Sequence, residues 1–384
     1  MSSSSVYSAE FRDLRTNSLV REAQVDRLKF GGALNDSAPF SCSLAVAGLG
    51  TDKHTAFEIT TPAFMCVYFR RDATYVYGGI IWTSKYDSST GTIDIAGADW
   101  WSYFDHRKIL PVLPADPDVN LVAGLSFSAT GAEQNELARQ LVTLAQSHTA
   151  GDIGIQLDSS TSNILRDRTY TGYQLKGVGE ALRDLSSVID GPDIQFDVAP
   201  PGADGKPVRR MLLGTPSLTQ DGDPWLFELG GNVSAYRWPR DGSRMATRFF
   251  APGDGIERDM PIAVAEDTTY TSLGWPLLEA DQTYSSVTNP STLQSHADAD
   301  QMISRLPVAL PELDVRGEAD PILGTWRPGH YARLVINDDL FGRNTDATPR
   351  GLDTIARIVA FDATPDTRGE AVTVTLSPLL DDVA

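Results

Sequence analysis

Between residues 40 and 104 the chain repeats one pattern: short apolar runs with a period of two, broken by Gly, Asp or Ser. Phe40, Cys42, Leu44 and Val46 fall on one face of such a run, the mark of a half-buried strand. Phe64, Cys66 and Tyr68 form one face of the next, and Met65, Val67 and Phe69 the other, so this strand is apolar on both sides. Such a run belongs between two packed layers or in a subunit contact. Tyr75-Val76-Tyr77 leads through Gly78-Gly79 into Ile80-Ile81-Trp82, and Thr92–Gly97 follows the turn Asp87–Gly91. At least five short strands with such turns point to a small barrel or sandwich.

The character changes near residue 115, where Pro111, Pro114 and Pro117 mark a linker. Thr130-Gly131-Ala132-Glu133 reads as a capping box ahead of a helix with Leu137, Leu141, Leu144 and Ala145 at helical spacing. A second helix carries Val178, Ala181, Leu182, Leu185, Val188 and Ile189 in one stripe, stopped by Gly191-Pro192 with glycine as the left-handed cap. Ile194, Phe196 and Val198 then alternate as a strand, and the loop 200–207 joins it to an expected antiparallel partner, Val208–Leu213.

From about residue 230 the β pattern returns at 235–238 and 246–250. Ser291-Thr292-Leu293-Gln294 reads as another capping box, before a helix with Leu293, Ala297, Met302 and Leu306 on or near one face and Pro307 at its end. Tyr331–Ile336 is one strand, and Thr354–Phe361 is expected to pair with Ala371–Leu376 across Pro365-Asp366-Thr367-Arg368-Gly369. The expected fold class is mainly β with α+β parts: two β-barrels joined by mixed segments. The domain assignment is 1–115 for the first barrel, with 205–230 as a candidate completion, 116–204 for an α+β domain, 231–275 with 308–384 for the second barrel, and 276–307 for a helical insertion.

Composition excludes several function classes. At 384 residues, two to four domains are expected from about 100–200 residues each. The formal charge of −19 counts against a broad basic face for a phosphate backbone. Cys42 and Cys66 are too few for a disulfide scaffold or a four-cysteine zinc site. The Met1–Ser5 stretch lacks the charged and apolar regions of a signal peptide, and no apolar run approaches the roughly 20 residues of a membrane helix. Only six of the 32 basic residues are lysine, a bias that speaks of GC-rich coding rather than function.

Catalytic and cofactor motifs are missing. There is no Walker A run, HExxH or GxSxG, and His54, His106, His148, His296 and His330 are scattered. Gly177-Val178-Gly179-Glu180 reads as a tight turn into a helix, and Asp241-Gly242-Ser243 as a plain turn. Asp94, Asp99 and Asp105 can be read as an acidic cluster, but an outward strand residue followed by two turn or cap residues is the favoured reading. Glu318-Ala319-Asp320 and Asp338-Asp339 read as solvated loops. The aromatic block Trp82, Tyr86, Trp100, Trp101, Tyr103 and Phe104 is expected in a core or subunit contact rather than stacked on a ligand.

The segment Tyr77–Ser84 with Thr92–Arg107 resembles the tail-hub, or minor tail, proteins of long-tailed bacteriophages, the actinobacterial type in particular. Arg27–Phe30 with Leu34–Ser41 resembles their opening hairpin, its Asn35-Asp36 turn between two strands. Ile189–Val198 resembles their helix-to-strand step. One departure is Arg327-Pro328-Gly329-His330-Tyr331, where Gly-Asp is the pattern and this chain has His330.

The resemblance implies two tube-forming barrel domains per subunit flanked by α+β domains, and a homotrimer that sets six barrels around a channel. It implies a place at the tail tip of the virion. The implied partners are the distal tail protein and tail tube, the tape-measure protein, and other minor tail, spike or receptor-binding proteins. DNA would pass through without sequence-specific contact, and no membrane insertion is expected. No catalytic, cofactor or metal residue is nominated, and the chain is expected not to be an enzyme. Two readings from other classes stand beside this one: a tail-associated cell-wall hydrolase, and a β-rich module that binds host glycans through exposed aromatic rings.

Overall fold

The computed structural model describes residues 5–49, 53–188, 190–284, 290–305, 308–343, 351–366, 369–377 and 379–380. In chain order the strands are β1 (Tyr7–Asp13), β2 (Leu19–Ala23), β3 (Asp26–Ala33), β4 (Pro39–Ala45), β5 (Met65–Arg71), β6 (Thr74–Asp87), β7 (Thr92–Asp99), β8 (Ser126–Glu133), β9 (Ile155–Leu157) and β10 (Leu165–Thr171). Then come β11 (Ile194–Ala199), β12 (Val208–Leu213), β13 (Trp225–Glu228), β14 (Val233–Arg237), β15 (Arg240–Asp241), β16 (Arg248–Pro252), β17 (Ile262–Glu266), β18 (Glu279–Asp281) and β19 (Val308–Ala309). The last are β20 (Glu312–Arg316), β21 (Tyr331–Ile336), β22 (Leu352–Asp366), β23 (Gly369–Leu376) and β24 (Leu379–Leu380). The helices are α1 (Lys53–Ile59), α2 (Trp101–Asp105), α3 (Gln134–Gln146), α4 (Val178–Ser186), α5 (Thr268–Ser272) and α6 (Pro290–Ser304). The fold is mainly β with an α+β section.

Two compact units divide the chain: residues 1–235 with 313–375, and 236–312 with 376–384. In the first, β22 is the hinge of the architecture. Its opening residues 352–357 pair with β21, and its residues 360–363 pair with β3. On one side run β3, β4, β7, β6, β5, β1 and β2, in that order. Their apolar faces meet inside, where the Phe30 ring lies 6.3 Å from Tyr7 and 6.1 Å from Phe69, and Phe40 lies 5.5 Å from Phe69. Contacts between rings of strands so far apart in the sheet order curl it into a barrel. On the other side β13, β21, β22, β23, β20 and β14 follow one another, and the Leu229–Val233 bridge brings β13 and β14 together into a second barrel. Phe227, Trp326 and Phe361 fill it.

The period-2 reading is met in the body of each strand, but Val46 lies past the end of β4 and Phe64 is exposed ahead of β5. Phe40, Cys42 and Leu44 are buried, and every residue from Met65 to Phe69 is buried, as a strand apolar on both faces demands. Gly78-Gly79 is no break: β6 runs through it for 14 residues. The Asn35 turn is left-handed at φ 61°, between antiparallel β3 and β4. β11 and β12 pair antiparallel, and the parallel neighbour of β12 is β9.

Helix boundaries need correction. Thr130–Glu133 lies in β8, and α3 is capped by the Glu133 carboxylate, which accepts the amides of Asn135 and Glu136. A carboxylate one residue from the helix meets free N–H groups directly, and Asp167 Oδ1 accepts the Gly131 amide on the strand side. α4 ends at Ser186, so Val188 lies beyond it, and Ile189 is outside the described residues. The left-handed residue after it is Asp190 at φ 55°, not Gly191. Gly191 serves close approach instead, since a Cβ there would stand 2.5 Å from the Leu185 carbonyl oxygen.

The second unit holds the sheets β15-β19-β24 and β17-β16-β18. α6 buries Leu293 and Ala297 against Ala251 and Ala265. Ser291 sits inside α6 rather than capping it, and Gln294 donates to the Val264 carbonyl. Gln301, four residues after Ala297, continues the buried stripe, whereas Met302 is exposed. Leu306, Pro307, Thr367 and Arg368 lie outside the described residues, as does the side chain of Thr292. Of the span 231–275, β14 lies in the second barrel, while β16 and β17 pair within this unit.

Candidate functional site

The aromatic block is core. Trp100, Trp101 and Phe104 are fully buried in the cluster that joins the first barrel to α3 and α4. Trp82 donates through Nε1 to Ser102 Oγ at 2.9 Å, Tyr103 donates to the Gly151 carbonyl, and Tyr86 is exposed. The glycines around the block make room. A Cβ on Gly78 would lie 2.6 Å from Trp100 Cζ2, and one on Gly97 1.9 Å from the Ile80 carbonyl oxygen. In the same way Gly179, in the first turn of α4, faces Asp105 Oδ1, 2.2 Å from where its Cβ would be.

The three aspartates separate. Asp94 is exposed and pairs with Arg27 at 2.8 Å, and Asp105 pairs with Arg183. Asp99 is buried and accepts from Ser37 Oγ, the Ala38 amide and the Trp101 amide. Burial pushes its carboxyl up to about 7, against these hydrogen bonds, which favour the ionised form. Burial likewise raises the Cys42 thiol to about 12 and that of Cys66 to about 11. Among the described residues no group of His, Cys, Asp and Glu is placed to hold a metal ion.

Sequence reasoning overlooked Arg209. It is fully buried on β12, beneath the first barrel, and its guanidinium donates to Tyr68 Oη, the Leu14 and Ile153 carbonyls and Asn17 Oδ1. The Trp100 ring centre is 4.6 Å from its Cζ. Its neighbours Val208 and Arg210 carry the same outward alternation, so only a reading of β12 that asked which face is buried would have found it.

A cleft of about 440 Å³ opens in the first unit between the barrels and β11–β12. Asp197 is its polar centre. Oδ2 accepts from Arg210 Nη2 at 2.7 Å and Arg327 Nη1 at 3.0 Å, and Oδ1 accepts the Val198 amide. His330, the departure from the Gly-Asp pattern, is buried beside them, with Trp225 Nε1 at 3.1 Å from Nδ1 and Arg327 Nε at 3.1 Å from Nε2. Burial and then the Arg327 charge push it down to about 4, so the ring is neutral at pH 7.

No family model and no curated protein matches this sequence. In structure it is similar to the 43 kDa tail protein of prophage MuSo2 from Shewanella oneidensis, with TM-score 0.61 and 14% identity over 97% of this chain and 98% of that one. The chain has the fold of prophage tail proteins. A tail protein from Neisseria meningitidis MC58 gives TM-score 0.60 at 14% identity, over 97% and 96% of the two chains. The prophage tail protein gp18 of Listeria monocytogenes EGD-e gives 0.52 at 14%, over 98% and 95%. This tail-protein fold spans both compact units, since the likeness covers nearly the whole of each chain. Among the described residues no helix is long and apolar enough to cross a membrane.

Proposed function

We propose that this chain is a structural protein of a phage tail, the hub at the tail tip of a long-tailed phage of the actinobacterial type. The observation that carries this reading is the full-length likeness to the Shewanella prophage tail protein, in a chain that has two barrels sharing one strand. Two barrels per subunit let three subunits present six around a channel, so that a threefold ring meets a sixfold tube; closed rings of heterologous contacts are a common solution for such objects. The first barrel at 1–115 and the α+β domain at 116–204 are proposed with it, while 236–275 goes with the helical segment of the second unit. The partners would be the distal tail ring and tube on one side, spike or receptor-binding proteins on the other, and the tape-measure protein within. With −19 on each subunit, a channel wall carrying part of that charge would repel DNA rather than bind it.

Single-particle images of the purified chain test this reading. A ring with threefold symmetry and an axial opening is expected, and compact particles without symmetry would overturn it. The glycan-binding alternative loses Trp100 and Trp101, which are fully buried, while Tyr103 is half-buried and Tyr86 exposed. The acidic cluster Asp94, Asp99 and Asp105 offers the hydrolase alternative no carboxylate pair: Asp94 and Asp105 are tied to arginines and Asp99 is buried among serine and backbone donors.

A further inference from the structure

Two arginines share one carboxylate in the cleft beside His330. Asp197 has committed both oxygens, one to the Val198 amide and the other to Arg210 and Arg327 together. The neutral His330 ring adds no charge, so this end of the cleft holds a surplus of one positive charge in a chain whose sum is −19. Both arginine side chains stay reachable, 35% exposed for Arg210 and 37% for Arg327, and both line the cleft. Tyr75, Pro200, Pro201 and Trp326 add apolar wall to the same cleft.

We propose that this cleft is a docking socket for an extended polypeptide segment of a neighbouring protein, anchored by an acidic side chain on Arg210 and Arg327. A peptide offers both contacts in one ligand: a carboxylate for the guanidiniums and apolar side chains for the aromatic and proline walls. Charge-assisted bonds from arginine to a carboxylate are the strong kind, and they set orientation as well as affinity. A nucleic-acid strand is the poorer fit, because a single surplus charge does not make the basic track that a phosphate backbone needs. The volume is within the 300–1,000 Å³ range of small-ligand clefts, so a few residues of the partner would enter it.

The socket is independent of the ring, and so is its test. Titration calorimetry on the full-length chain would compare acetyl-Leu-Asp-Leu-amide with the same peptide carrying Asn or Lys at the centre. The Asp peptide is expected to bind at least tenfold more tightly than the Asn peptide, with no binding of the Lys peptide. Arg327→Ala is expected to weaken the Asp peptide at least fivefold. Arg333→Ala, which removes an exposed ion pair with Asp353 on β21 and β22, should leave it unchanged. Thermal melting of each variant shows that it is folded, and Arg327→Lys should keep part of the affinity where Ala does not. Equal binding of the Asp and Asn peptides, no binding at all, or loss equally produced by Arg333→Ala would overturn the proposal. Inorganic phosphate that displaces the peptide at equal concentration would also overturn it, by marking a simple anion site.

Discussion

The guanidinium carbon of Arg209 lies 4.6 Å from the centre of the Trp100 ring, and both side chains are fully buried. None of the contacts made by this guanidinium is to a carboxylate: carbonyls, a phenol, an amide oxygen and the Cys66 sulfur surround it. A buried charge so placed ties β12 to the β1–β2 turn and to β5, and holds the mixed section on the first barrel. Arg209→Met is expected to destabilise the protein by at least about 3 kcal/mol, because it strands several buried acceptors at once. Arg209→Lys should recover little, since an ammonium cannot reproduce the planar fork. Urea unfolding measures both; a Met variant as stable as the parent would contradict this account.

Glycine size, rather than glycine flexibility, matters at β6 and β7. Gly78→Ala and Gly97→Ala are each expected to cost about 2–3 kcal/mol through overpacking, with Gly97 the worse because it meets backbone. Gly124→Ala is the control: nothing lies within 4 Å of its Cβ position, and its change should stay within about 0.5 kcal/mol. Melting temperatures would rank the three.

Glu370 fastens one barrel to the other. It accepts from Arg71 Nε at 2.8 and 3.0 Å and from Tyr7 Oη at 3.1 Å, reaching from β23 to β5 and β1. Glu370→Gln leaves Arg71 charged and largely buried, with Asp72, at 3.9 Å, the one acid left paired to it among the described residues. A loss of about 3 kcal/mol is expected. Denaturant midpoints check it, and Glu370→Gln with Arg71→Met should recover part of the loss.

Asp99 and His330 titrate against each other. The folded chain keeps a proton on Asp99 up to about pH 7, whereas the ordinary value is 3.8, so this group takes away stability as pH rises from 3.8 to 7. The folded chain refuses a proton on His330 down to about pH 4, whereas the ordinary value is 6.5, so this group takes away stability as pH falls from 6.5 to 4. The two slopes oppose each other between pH 4 and 6.5. Asp99→Asn removes only the first. Stability of the variant relative to the parent is then expected to rise with pH, by up to about 1.4 kcal/mol per unit. Parallel stability curves at pH 4, 5 and 6 would contradict the assignment.

The strands were legible wherever one residue in two was apolar, as at Phe40–Leu44 and Tyr331–Ile336, because burial of one sheet face writes itself directly into the sequence. The edge strand β2, Leu19–Ala23, was not, since Leu19 and Val20 are both exposed and leave no alternation to read. Helix starts misled because Thr130 and Ser291 have the side chains of caps, while 130 lies in β8 between the paired residues Ala129 and Ala132, and 291 is already helical. The cleft was invisible for another reason. Asp197, Arg210, Arg327 and His330 are spread over more than 130 residues, and only the packing of three segments gathers them. The block Trp82–Phe104 was read as core from its aromatic density, and its largest rings are buried as that reading requires.

Light scattering of the purified chain across a dilution series tests the central claim most directly. The account predicts a species near three times 41.6 kDa that persists on dilution into the micromolar range. A mass of 41.6 kDa at every concentration would contradict a subunit built to close a ring with its own copies.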